Sequence, residues 1–332
     1  MPLWKRSAGD DQQKEARARA QQDAEASIRS LAAGGLPVQA QRRLQEETAA
    51  GHPLFTSDLS ANEFLLTRQP GYTALGQVMG SAIYHVGWQY LPVPAYAYSQ
   101  RYAYSQRNMA GYEYELEVLS QAHQQAAALA LGRLEQEAAL LRAHGVIGVR
   151  FTRKRYAWEQ DILEYMAIGT AIRLSNAPLP QRPFLSDLSG QEFWTLMQAG
   201  YYPAGLVTGF CAYAVVSPLS IFFANYFNQE IPEFSQAIYT ARSRGISRLR
   251  DSARGLNALG VVGMHIEIER EFEEETEEQV EIRKLFVHFS ATGTAITSHS
   301  TTHTIPKPVP TLTFTDLRPD RFGETQELTS NL

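Results

Sequence analysis

Ser57-Asp58-Leu59-Ser60 and Ser186-Asp187-Leu188-Ser189 are the same tetrapeptide met twice in one chain. At the same offset Glu63-Phe64, Gly71-Tyr72, Gly76, Val78, Gly80 and Tyr84 recur as Glu192-Phe193, Gly200-Tyr201, Gly205, Val207, Gly209 and Tyr213. After insertions of different length the register resumes. Arg133-Leu134, Ala138 and Gly145-Val146-Ile147-Gly148 match Arg248-Leu249, Ala253 and Gly260-Val261-Val262-Gly263, and Gly169-Thr170-Ala171-Ile172 matches Gly293-Thr294-Ala295-Ile296. Self-similarity of this kind marks a duplicated folding unit.

Each copy spells the same series of elements. Ser60 and Ser189 stand as N-caps, with Glu63 and Glu192 three residues on to complete a capping box for a short helix that Gly71 or Gly200 ends. Alternation over 77–86 and 206–215 predicts a strand, and its repeated glycines point to bulges or close backbone approach rather than to an anion cradle. A long helix follows, striped by Leu119, Ala122, Ala126, Ala130, Leu134, Ala138 and Leu141 in one copy. Phe234, Ala237, Ala241, Gly245, Leu249, Ala253 and Leu256 form the stripe in the other. The strand pairs 146–158 with 162–174, and 261–272 with 280–297, then predict hairpins. The fold expected is α+β: two tandem modules, each a small antiparallel or mixed sheet packed on one long helix. Their bounds are 53–178 and 179–298, between a helical extension at 1–52 and a tail at 299–332. Within the extension 10–33 and 37–49 predict helices broken at Gly34-Gly35, and in the tail 311–315 alternates like an edge strand.

Composition narrows the function classes. With 332 residues and 44% apolar content the chain fills two cores, and a net charge of −5 argues against a nucleic-acid partner held by overall basicity. The single cysteine, Cys211, excludes an internal disulfide framework and fits a reducing compartment, so a cytoplasmic location is expected. No apolar run follows Lys5 and Arg6, as a secretory signal requires. The uncharged stretch 193–229 is apolar enough over 206–227 to imitate a membrane span, but Pro203, Gly205, Gly209, Pro218 and Asn225 interrupt it. Its match to a more polar stretch of the first copy favours a buried strand over membrane association.

A glycine-punctuated strand, an Ala/Leu-striped helix ending in Gly145-Val146-Ile147-Gly148-Val149, and a strand ending in Ala167-Ile168-Gly169-Thr170-Ala171-Ile172 together resemble the YbjQ-type heavy-metal-binding family. Both copies carry the pattern, over 71–175 and 200–298. The resemblance implies small α+β modules that assemble as homopentameric rings, and two modules in one chain extend this to a larger or pseudo-symmetric ring. It also raises a divalent or heavy metal as a cofactor. Cys211, His299 and His303 are the residues such a site would draw on, yet Cys211 has no second thiol, and on an extended segment His299 and His303 lie ~13 Å apart. A structural cysteine and a solvated tail are the competing readings.

No Gly-Lys-Ser phosphate loop, Rossmann fingerprint, nucleophile elbow or His-Glu-x-x-His motif is present, so no catalytic residue is assigned and the chain is read as a non-enzyme. Two segments point instead to contact surfaces. Arg150, Arg153, Lys154 and Arg155 mark one hairpin, while Glu267, Glu269, Glu271, Glu273, Glu274 and Glu275 mark the other. Opposite charges at corresponding tips either meet across a boundary between modules or remain solvated. Tyr96-Ala97-Tyr98-Ser99-Gln100-Arg101 is repeated at once as Tyr102-Ala103-Tyr104-Ser105-Gln106-Arg107, an insertion in the first copy alone. Tyrosine and arginine favour protein interfaces, so this loop either holds a protein partner or covers its own module. The leading expectation is a ring-forming structural protein that recruits a partner. The alternative is a metal- or small-ligand-binding module with sites at subunit boundaries, for which Glu113, Glu115, His85 and His265 are further candidates.

Overall fold

The computed structural model describes residues 8–49, 56–57, 59–61, 63, 71–87, 112–155, 162–175, 177–218, 230–277 and 280–298. Two helices come first, α1 (Ala8–Ala32) and α2 (Val38–Ala49), followed by β1 (Tyr72–His85), β2 (Tyr112–Glu115), α3 (Glu117–Leu140), β3 (Gly145–Arg155) and β4 (Ile162–Leu174). The second half runs β5 (Phe184–Leu185), α4 (Gly190–Gln198), β6 (Tyr201–Pro218), α5 (Pro232–Gly255), β7 (Gly260–Glu277) and β8 (Val280–Ser298). They build two four-stranded sheets, β1-β4-β3-β5 and β2-β6-β8-β7. The three long strands of each are antiparallel and of matching order, while β5 joins β3 in parallel, giving an α+β fold with one mixed sheet.

The alanine stripe explains where the helices sit. Ala122, Ala126, Ala130, Leu134 and Ala138 fall on one face of α3 and are all buried, and small side chains let the helix axis come close to the strands. The approach is close enough to exclude any side chain beneath it. A Cβ at Gly80 would overlap the carbonyl oxygen of Ala130, and one at Gly209 would overlap that of Gly245, so the repeated strand glycines are there for backbone contact. An arginine anchors each helix to its strand in the same way: Arg133 Nη1 donates to Ser81 O at 2.5 Å and Arg248 Nη1 donates to Phe210 O at 2.6 Å.

Alternation along β6 sets the layering. Val207, Cys211, Tyr213 and Val215 pack with Phe234, Ala237, Ala241 and Leu249 of α5, whereas Ala212 and Ala214 turn the opposite way toward Leu116 and Leu119. Helix α3 therefore lies between the sheets, and α5 covers the far face of the second sheet. At the front, α2 rests on α3. Leu44 is fully buried, Arg43 meets Glu137 at 3.1 Å, and Arg133 donates to the carbonyls of Leu31 and Gly35.

Several bounds differ from the sequence reading. The strand expected at 206–215 runs from Tyr201 to Pro218, and β3 is described over Gly145–Arg155, the expected 156–158 lying outside the described residues. The short pieces β2 and β5 were not signalled by alternation, because four and two residues are too few to show a period. The stretch that imitates a membrane span is strand up to Pro218, and no helix among the described residues is long and apolar enough to cross a membrane. The expected edge strand at 311–315 lies outside the described residues.

Candidate functional site

The junction between the sheets is made by a segment that belongs to the second half in sequence and to both halves in space. Phe184 N donates to His144 O, Ser186 N to Val146 O, Gly148 N to Leu188 O and Val149 N to Ser186 O, at 2.8 to 3.1 Å. Residues 184–188 thus line the outer edge of β3. Their side chains reach the other sheet: Ser186 Oγ lies 3.0 Å from Thr294 Oγ1, and the Thr294 hydroxyl also donates to Asp187. Burial pushes the Asp187 carboxyl up, a rise that the Thr294 hydroxyl bond opposes.

The predicted capping boxes are present at both places. Glu192 N donates to Ser189 Oγ and Ser189 N to Glu192 Oε2, while Glu63 N donates to Ser60 Oγ and Ser60 N to Glu63 Oε2. Glu63 reaches further, accepting a 2.8 Å bond from Gly190 N, so the first capping glutamate holds the start of the second helix. Burial alone would raise its carboxyl, but the bonds from Ser60 and Gly190 overcome this and hold it below the ordinary value. Around these bonds Tyr72, Ile147, Ile172 and Phe193 form a buried cluster with Leu59, Phe184 and Trp194 against it.

A second contact lies deeper. Phe210 of β6 stacks on His123 of α3 at 5.7 Å and meets Tyr165 of β4 edge-on, with His123 Nδ1 and the Tyr165 hydroxyl 2.7 Å apart. Burial pushes the Tyr165 phenol up. Beside them the buried Arg153 side chain stands 2.7 Å from Glu269 and 3.6 Å from Glu267. Glu115 is clasped by Arg244 at 2.8 Å and Arg248 at 2.5 Å. Burial would raise Glu115, yet the two guanidinium bonds outweigh it and hold its carboxyl low.

The structure therefore brings together some of the residues singled out in the sequence. Arg153 meets Glu269 within one chain, whereas Lys154, Glu271 and Glu273 are exposed. The side chain of Arg155 lies outside the described residues, as do Tyr96, Tyr98, Arg101, Tyr102, Tyr104 and Arg107. Cys211 faces α5 in the core, 1% exposed, with its thiol pushed up to about 12 by burial and by the nearby Glu115 charge. A thiol in that state is a poor metal ligand, since the thiolate is the binding form. His299 and His303 lie outside the described residues, and among the described residues no three His, Cys, Asp or Glu side chains converge as a metal site. Glu113 accepts from the Tyr213 hydroxyl, while His85 and His265 are exposed. What sequence reasoning missed is the crossing of 184–188. No local pattern signalled it, since its bonds to β3 are made by the backbone.

A cleft of about 220 Å³ opens beside this junction, lined by Glu63, Arg150, Thr170, Asp187, Ser189 and Glu192 among others. It is smaller than the ~300–1,000 Å³ usual for ligand sites, and Glu63, Asp187 and Glu192 already accept bonds within the fold.

Two comparisons with known proteins give the chain its relatives. The pattern of the YbjQ family, described as "Putative heavy-metal-binding", matches residues 94–175. An encapsulin nanocompartment protein of Mycobacterium tuberculosis is 35% identical over 221 residues, covering 64% of this chain and 78% of the relative. The chain belongs to the same family as that mycobacterial protein, and its first half carries the YbjQ-type module.

Proposed function

We propose that the chain is a non-enzymatic structural subunit that assembles with copies of itself into a closed ring or shell and offers that assembly to a protein partner. The observation that supports it most is the likeness to a nanocompartment protein across 78% of that relative's length. The surface agrees. Met264, Ile266, Ile268 and Phe272 are large apolar side chains exposed along β7, the edge strand of the second sheet. A strand edge so furnished is a pairing surface unless something covers it. The alternative, a ligand module with sites at subunit boundaries, gains nothing from the small cleft, whose carboxylates are already engaged.

Electron microscopy and light scattering on the purified full chain at micromolar concentration test the reading. Closed particles many times the 37.1 kDa chain mass support it, and a monodisperse monomer refutes it. Recruitment is tested separately. Deletion of 96–107, with its tandem tyrosines and arginines, should leave particles intact and remove partner capture, and unchanged capture would assign recruitment elsewhere.

A further inference from the structure

We propose that the contact between chains repeats the junction inside the chain: residues 56–63 of a second copy lie along the outer edge of β7 as 184–192 lie along β3, and its first sheet lies on α5 as the second sheet lies on α3. This deepens the self-assembly reading and rests on it.

The argument compares equivalent positions. Residues 145–149 of β3 are buried apart from half-buried Gly148, because 184–188 cover their edge. The equivalent residues 260–264 of β7 have lost that cover. Val146 and Ile147 are fully buried where Val261 and Val262 are half-exposed, and Val149 is 4% exposed where Met264 is 41% exposed. Gly148 and Gly263 share a left-handed backbone, with φ of 62° and 64°, so the two edges have the same local shape. Gly148 N and Val149 N donate to the crossing segment, whereas β7 has no strand on its outer side among the described residues.

Two glycine pairs show the same vacancy, while Gly263 packs on its inner side against Leu188 and Asp187. A Cβ at Gly145 would run into the Phe184 ring, and one at Gly71 would meet the Trp194 ring at 2.7 Å. At Gly260 and Gly200, their equivalents, a Cβ meets nothing within 4 Å among the described residues. Tyr72 and Ile172 are buried beneath α4, while Tyr201 and Ile296 are half-exposed.

The complementary end is uncovered too. Leu185 and Gly190 are buried against the first sheet and Ser186 between the two sheets, but their equivalents Thr56 and Ala61 are exposed and Ser57 is half-exposed. Ala212 is 1% exposed where it faces α3, and its equivalent Ile83 on the first sheet is 69% exposed. The sequence supplies the missing ring, since Phe55 precedes Ser57 as Phe184 precedes Ser186. One end of the chain thus lacks what the other end offers. Such a head-to-tail contact uses two different surfaces, so it propagates from copy to copy and closes into a ring when the rotation allows.

Two variants and their mixture test this. Gly260→Phe fills space left open by the described residues of the single chain and blocks the β7 edge. Ala61→Trp changes an exposed helix start, but its equivalent Gly190 stands where even a Cβ would come within 3.2 Å of Glu63, so the bulky ring blocks the segment end. Each variant alone should be monomeric by mass photometry, with wild-type circular dichroism. Mixed in equal amounts they should form a dimer of one copy each, because the good segment of Gly260→Phe meets the good edge of Ala61→Trp. If wild type assembles and either variant still forms full-sized particles, or the mixture stays monomeric, the proposed contact is wrong while self-assembly stands. A monomeric wild type overturns both.

Discussion

Arg153 on β3 and Glu269 on β7 stand 2.7 Å apart, a charge pair that joins strands belonging to different sheets. The arginine side chain is buried and the glutamate is half-exposed, so the pair is stronger than an open surface contact and weaker than a fully desolvated one. Replacing each by alanine, singly and together, should give a coupling energy of about 1 kcal/mol in denaturant unfolding. Glu269→Ala should cost more than Arg153→Ala, because the glutamate left by the second can turn to water while the buried guanidinium left by the first cannot. Coupling near zero would reduce the pair to proximity.

Gly80→Ala and Gly209→Ala should each destabilise by about 2–4 kcal/mol, since the added methyl overlaps backbone atoms of α3 or α5 that cannot rotate away. Gly132→Ala makes the contrast. It sits inside α3 with nothing within 4 Å of an added Cβ among the described residues, so alanine should stabilise by about 0.5–1 kcal/mol. Thermal unfolding of the three variants checks both signs.

How much of this could be read before the structure depends on what each residue does. The duplicated tetrapeptide, the capping glutamates and the Ala/Leu stripes are local patterns, and they fixed helices and long strands to within a few residues because burial follows a period. The Arg153 to Glu269 contact was legible only as opposite charge at corresponding hairpins, since sequence carries the signs but not which strands face each other. The crossing of 184–188 was not legible. Its bonds to β3 are backbone bonds that any sequence can make, and a two-residue β5 shows no alternation. The burial of Glu115 between Arg244 and Arg248 was likewise invisible, because its partners stand far away along the chain.

Two buried glutamates should respond to pH in opposite directions. Glu115 is held below the ordinary value by its arginines, so its contribution is present above that value, about 4.3, and is lost as pH falls through the lower folded value. Glu115→Gln should lower stability at pH 7 by about 1–3 kcal/mol, with the difference vanishing in acid. Glu137 is raised by burial, against the bonds from Met79 N and Arg43, so its contribution is full below the ordinary value and fades as pH rises through the folded one. Glu137→Gln should therefore gain on wild type between pH 4 and pH 7. Thermal melts across that range read both, and parallel curves would refute the assignment.

Cys211 should not react with a thiol reagent at pH 8 in the folded chain, because it is buried and its thiol is pushed up to about 12. One equivalent should react after unfolding, as only one cysteine exists. Fast labelling of the native protein would contradict the packing of β6 on α5.

Amide hydrogen exchange at the β7 edge tests most directly whether copies meet as the two halves of one chain do. In the wild-type assembly the amides of Gly263 and Met264 should be protected as strongly as those of Gly148 and Val149, and Gly260→Phe should lose the first protection while keeping the second. Fast exchange at Gly263 and Met264 in intact particles would contradict the account.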